Sequence, residues 1–149
     1  MKKVLVVGAG AVGQVYASGL ERGGAEVAFY VREQYREDVE AGLRVARLRR
    51  GGRRERHVFA RPRALTRVEE AARERWDAVW LCIPSNGVHE ASTTALLEAL
   101  GDVLVVSLTP GLDDRAQLTR VVEETNLVTG LIPFLAWADP GDGDVADGE

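Results

Sequence analysis

At 149 residues and 46% hydrophobic composition, the chain has material for one α/β domain with a real core and not for two. A formal charge of −4, with both signs mixed along the chain, excludes a global attraction for nucleic acid or anionic lipid, and no apolar run reaches the ~18 residues of a membrane span. The single cysteine, Cys82, excludes an intrachain disulfide and a cysteine-based zinc site; within AVWLCIP it reads as a core thiol suited to a reducing cytoplasm.

The first element is KVLVV (3 to 7), a continuous apolar run as expected of a strand buried on both faces. From Ala11 to Arg22 the apolar positions Val12, Val15, Tyr16 and Leu20 recur at helical spacing, and Gly23-Gly24 ends that helix. EVAFYV (26 to 31) reads as a second strand, followed by a polar helical stretch from Glu33 to about Ala41. GLRVARLRRGGRRERHVFARP predicts a two-stranded ribbon turning at Gly51-Gly52, its arginines on a solvated face and not a nucleic-acid patch, since no aromatics are interleaved. Thr66 and Glu69 have capping-box spacing and predict a short helix running to about Arg75. DAVWLCIP (77 to 84) is a strand, Val88 to Leu100 a helix, DVLVVSL (102 to 108) a strand, Asp113 to Glu124 a helix and NLVTGLI (126 to 132) a last strand. Five strands alternating with helices define a Rossmann-type, doubly wound, mainly parallel α/β sheet with helices on both faces. Residues 1–138 are expected to form the domain, and the acidic, glycine-rich 139–149 a flexible tail.

Gly8, Ala9, Gly10, Ala11, Val12 and Gly13 supply the GxGxxG spacing directly between the first strand and its helix, the context in which that pattern carries meaning. The first glycine allows the tight turn, the second lets backbone approach a pyrophosphate, and the third brings helix and strand close. A secretory signal is the competing reading of this start; it leaves the glycines without purpose and strips the first strand from the sheet. At the end of the second strand, where an acidic residue would read the ribose hydroxyls of NAD, the chain has Arg32. A guanidinium suits a 2′-phosphate, so NADP is expected over NAD; Glu33, one residue on, is the complication.

VLVVGAGAVGQVYASGL, GGAEVAFYVRE and AGLRV, followed in order by DAVWLCIPSNGVHEA, VLVVSLTPGLDDRAQL and TGLIPFLAW, resemble the amino-terminal half of ketopantoate reductase, 2-dehydropantoate 2-reductase. The resemblance runs from Met1 to roughly Pro140. It implies an NADPH-dependent reduction of a small 2-keto acid in a two-domain fold whose helical carboxy-terminal half supplies a lysine and an acid. That half is expected to be absent from these 149 residues, and the chain inactive without it. Carried onto this sequence, the resemblance adds Ile83, Pro84, Ser85, Thr109 and Ala136 to the cofactor-binding set of Gly8 to Gly13 and Arg32.

Two positions depart from the family. Pro84 stands where a lysine is usual, and Pro110-Gly111 where Asn-Gly is usual; neither proline offers a side-chain hydrogen bond or an N–H. Lys2 and Lys3 are the only lysines, so no catalytic residue is assigned, and no metal ligand either. His89, on the helix after the fourth strand, is a proton-donor candidate or a solvent-facing residue; His57 is weaker. The alternative function is a non-catalytic NAD(P)-sensing module. Trp76, Trp80 and Trp137 read as packing residues; with the surface around LIPFLAW bare, Trp137 is expected to be exposed, and a homodimer is a candidate.

Overall fold

The computed structural model describes residues 1–138, so the expected 139–149 tail lies outside the described residues. Lys3–Val7 form β1, four of whose five side chains are buried. The glycine turn leads into α1 (Ala11–Arg22), which returns the chain to β2 (Glu26–Tyr30) beside β1 in parallel register. One 3-10 turn (Glu33–Tyr35) and α2 (Arg36–Glu40) follow. Next comes the antiparallel ribbon of β3 (Leu43–Leu48) and β4 (Arg54–Phe59). β5 (Arg63–Leu65), α3 (Val68–Ala72) and β6 (Ala78–Leu81) then re-enter the sheet region. Beyond β6 come α4 (Ser85–Val88), α5 (Ala91–Leu100), β7 (Leu104–Ser107), α6 (Leu112–Leu118), a 3-10 turn (Glu124–Asn126) and β8 (Leu127–Thr129).

Six strands form one all-parallel sheet in the order β5-β2-β1-β6-β7-β8. Because strand side chains alternate, the sheet has two cores. Leu5, Val79, Leu81 and Val105 face Leu96, Leu97 and Leu118 on one side. Val4, Val6 and Phe29 face Ala17 of α1 and the ribbon residues Val45 and Phe59 on the other. The ribbon is clamped to α1 by polar contacts: Arg47 Nη2 donates to the Val15 carbonyl at 2.8 Å, and His57 Nε2 lies 2.9 Å from Glu21. Trp76 is buried, its Nε1–H donated to the Ala71 carbonyl, and Trp80 stacks with Tyr16 at 5.0 Å. Trp137 is exposed, as expected, along with Leu131 and Leu135.

Several elements differ from the sequence expectation. The sheet has a sixth strand, β5, whose three residues pair with β2 and lie in a stretch read as connection. The α3 cap sits one residue later than expected. Glu70, and not Glu69, is the third helical residue, and its carboxylate accepts the backbone N–H groups of Thr66 and Arg67. The helix expected over 88–100 is two helices, broken at His89-Glu90, and α6 stops at Leu118 instead of Glu124. At that end the Thr119 hydroxyl donates to the Arg115 and Ala116 carbonyls.

Two carboxylates bind the β5–α3 region by charge. Hydrogen bonds from the Thr66 backbone and from Arg67 and Arg36 hold Glu70 down at about 2. Arg63, with Lys3, does the same for Glu74, also at about 2. Both values lie below the ordinary 4.5. A depressed native pKa stabilises the fold fully above the ordinary value and loses that contribution as pH falls through the native one. The urea midpoint is therefore expected to hold down to about pH 5 and to fall steadily from there toward pH 2. Glu70→Gln should lower the neutral-pH midpoint and flatten that acid limb; an unchanged limb would rule out the assignment.

Candidate functional site

The carboxyl ends of β1, β2, β6 and β7 open onto one edge of the sheet, and the glycine turn sits at its centre. Gly8 has φ of +95°, a conformation open to glycine, and a Cβ there would meet the Cys82 carbonyl oxygen at 2.8 Å. Gly13 is packed more tightly still: a Cβ would lie 2.1 Å from the Gly8 carbonyl oxygen. Gly10 contrasts with both. A Cβ on Gly10 meets nothing within 4 Å, so that face of the turn looks onto open space. Gly10 is the N-cap of α1 and has no side chain to cap it, while Ala11, Val12 and Gly13 present first-turn N–H groups with no intrahelical acceptor. Ala9 is fixed from behind, its carbonyl accepting from Gln14 Nε2 at 2.8 Å. The result is a concave row of donors at the positive end of a helix dipole, closed to side chains and open to an anion.

Arg32 lies just past β2, exposed, with its Nη2 2.6 Å from Glu90 Oε1 at the α4–α5 break. Glu33, the acid that complicated the cofactor reading, is turned the other way: its carboxylate takes the Thr66 hydroxyl and pairs with Arg36 at 3.3 Å. Glu90 as a partner of Arg32 was missed by sequence reasoning. The two are 58 residues apart, and only the sheet order brings them together.

At the β6 and β7 ends the structure builds a second polar cluster. Asp114, in the first turn of α6, is buried, and its Oδ1 accepts from Ser85 Oγ at 2.6 Å and contacts His89 Nε2 at 2.9 Å. Its other oxygen folds back over Gly111, where a Cβ would meet it at 2.6 Å. Ser85 and His89 thus face Asp114, and Pro84 serves as the N-cap of α4. Ile83 packs against Gly87 and fills the space behind Gly8. Thr109 is buried, with its hydroxyl 2.8 Å from Ser107 Oγ. Ala136 is half-buried in the segment after β8, which returns toward α1: Phe134 stacks on Tyr16 at 5.3 Å, and the Tyr16 hydroxyl donates to the Leu131 carbonyl. Burial pushes the Cys82 thiol up to about 12, so it remains a neutral packing group.

The lysines stand at the far end of the molecule. Lys2 pairs with Asp77 at 2.7 Å and Lys3 with Glu74 at 3.1 Å, at the amino edge of the sheet, roughly 13 Å away along the length of β1. A groove of about 580 Å³ at that same edge, lined by Gly101, Asp102, Arg120 and Asn126 among others, carries no constellation comparable to the glycine turn.

A six-stranded parallel sheet in this order, with a glycine-rich turn off its first strand, defines a Rossmann-type α/β domain. The profile of the ketopantoate reductase PanE/ApbA family matches residues 4–146, and the chain belongs to that family. Among solved structures it is similar to 2-dehydropantoate 2-reductase from Methylococcus capsulatus, at 27% identity and TM-score 0.60 over 87% of this chain and 40% of that one. The corresponding enzyme from Geobacter metallireducens gives 22% identity and TM-score 0.61 over 90% and 47%. A D-mandelate dehydrogenase bound to NADH and anilino(oxo)acetate shares the fold with TM-score 0.69 at 17% identity, over 87% and 40%. The chain therefore spans less than half the length of these proteins. No curated protein matches it. Among the described residues no helix is long and apolar enough to cross a membrane.

Proposed function

We propose that this chain is the NADP(H)-binding domain of a ketopantoate-reductase-like oxidoreductase, within residues 1–138, acting on a small 2-keto acid only together with a further catalytic domain. The observation that carries the reading is the open face at Gly10 between two glycines that tolerate no side chain. The first-turn N–H groups of Ala11 to Gly13 would hold the pyrophosphate and Arg32 the 2′-phosphate, with Ile83, Pro84, Ser85, Thr109 and Ala136 bordering the rest of the cleft. The engagement of Glu33 by Arg36 and Thr66 supports NADP over NAD, because it takes the competing acid away from the ribose. When bound, the cofactor supplies the hydride. The chain's own part is to bind and orient: near the cleft it offers no lysine, and the acid–base groups there include the His89–Asp114 pair. The exposed apolar segment around Leu131 and Leu135 is where a homodimer would form, and the location is taken to be cytoplasmic, in keeping with a chain that has a single cysteine.

A fluorescence titration tests this. Wild type is expected to bind NADPH more tightly than NADH. Arg32→Ala should erase about 1.5–3 kcal/mol of that preference, a factor of roughly ten or more, by removing a charge-assisted phosphate contact. Equal loss for both dinucleotides would exclude the role of Arg32. A non-catalytic NAD(P)-sensing module is the second reading, favoured by Pro84 and Pro110 at positions where the family has polar side chains.

A further inference from the structure

The Arg32–Glu90 pair is an odd use of two charges if it serves only the fold. Arg32 is 66% exposed and Glu90 38%, and pairs this exposed contribute little to stability. Glu90 is the N-cap residue of α5, yet it makes no side-chain cap to its own helix. Its carboxylate instead reaches across the cleft mouth, one oxygen 2.6 Å from Arg32 Nη2 and the other accepting from Ser92 Oγ at 3.3 Å. The acid adjacent in sequence, Glu33, is held away by Arg36 and Thr66, so the anion on Arg32 comes from the opposite wall.

From this the geometry points to Glu90 as a specificity-determining residue: an internal anion that competes with the 2′-phosphate of the dinucleotide for Arg32. The inference rests on the cofactor reading above. A ligand with a bare 2′-hydroxyl leaves the ion pair intact. One with a 2′-phosphate must displace the Glu90 carboxylate and then sit beside it, a like-charge contact. Glu90 therefore narrows the gap between the two cofactors that Arg32 opens.

The test uses the 149-residue chain and two fragments differing only at that position, 2′,5′-ADP and 5′-AMP, titrated by calorimetry. Glu90→Gln is expected to raise the preference for 2′,5′-ADP over 5′-AMP by about three- to tenfold, the scale of a lost exposed ion pair plus relieved repulsion. Glu90→Ala should repeat it. Raising the salt to about 0.5 M should shrink the difference between wild type and variant, because exposed charges are screened. If both Glu90 variants leave the preference within about twofold of wild type while Arg32→Ala collapses it, the role of Glu90 is overturned and the cofactor reading stands. If Arg32→Ala also leaves the preference unchanged, the 2′-phosphate contact falls and Glu90 with it. If no form of the chain binds either fragment, both the inference and the cofactor reading are overturned.

Discussion

Gly13→Ala is expected to destabilise the fold by about 3 kcal/mol and Gly10→Ala by less than about 1 kcal/mol, while Gly10→Ala alone leaves a folded chain that binds a dinucleotide roughly thirtyfold more weakly. The reasoning is geometric. The Gly13 methyl would lie 2.1 Å from the Gly8 carbonyl oxygen, which is backbone and cannot rotate aside. Either α1 lifts from β1, opening the core under Ala17, or the turn deforms. Gly10 has φ of −68°, accessible to alanine, and a Cβ there touches nothing, so folding has little reason to resist it. That methyl does occupy the space in front of the helix-start donors. Losing one charge-assisted contact to a diphosphate there is worth about 2 kcal/mol, roughly thirtyfold in Kd. Urea denaturation of both variants, with NADPH titration of Gly10→Ala, separates the two effects. A Gly10→Ala chain binding NADPH as wild type does would remove the glycine turn from consideration as a phosphate cradle.

The glycine turn was legible in the sequence because everything that defines it is local. KVLVV, three spaced glycines and an amphipathic stretch lie within the first 22 residues, and the structure places β1 and α1 on those bounds. Elements set by distant contacts were not legible. β5 has three residues, too few for any periodicity, and is a strand only because β2 offers it an edge. The α3 cap moved by one residue because Glu70 also gains Arg36, a partner 34 positions away. The candidate site divides in the same way. Gly8 to Gly13 and Arg32 were read from the chain, but the anion on Arg32 and the carboxylate between Ser85 and His89 were not. For Asp114 there was a signal. It stands third after the Gly111 N-cap, following Pro110, the place where a carboxylate turns back toward a helix start. Nothing in the local pattern indicated that Ser85 and His89, from another crossover, would converge on it.

That convergence gives the second large effect. Asp114→Ala is expected to cost about 3 kcal/mol, since two hydrogen bonds to a buried carboxylate are lost and α4 and the start of α6 lose the group that joins them. Asp114→Asn keeps an acceptor for Ser85 and His89 and should cost about 1 kcal/mol. Because the carboxylate and the imidazole are in contact, Asp114→Ala and His89→Ala should not add: the double variant is expected to be more stable than the sum of singles by about 1 kcal/mol. The same carboxylate ties the β6 and β7 exits together at the mouth of the cleft, so Asp114→Ala should weaken NADPH binding through loss of order, where Gly10→Ala weakens it with stability intact. An Asp114→Ala chain with an unchanged urea midpoint would mean that the cluster holds nothing in place, and that the ends of α4 and α6 are fixed by the apolar core beneath them.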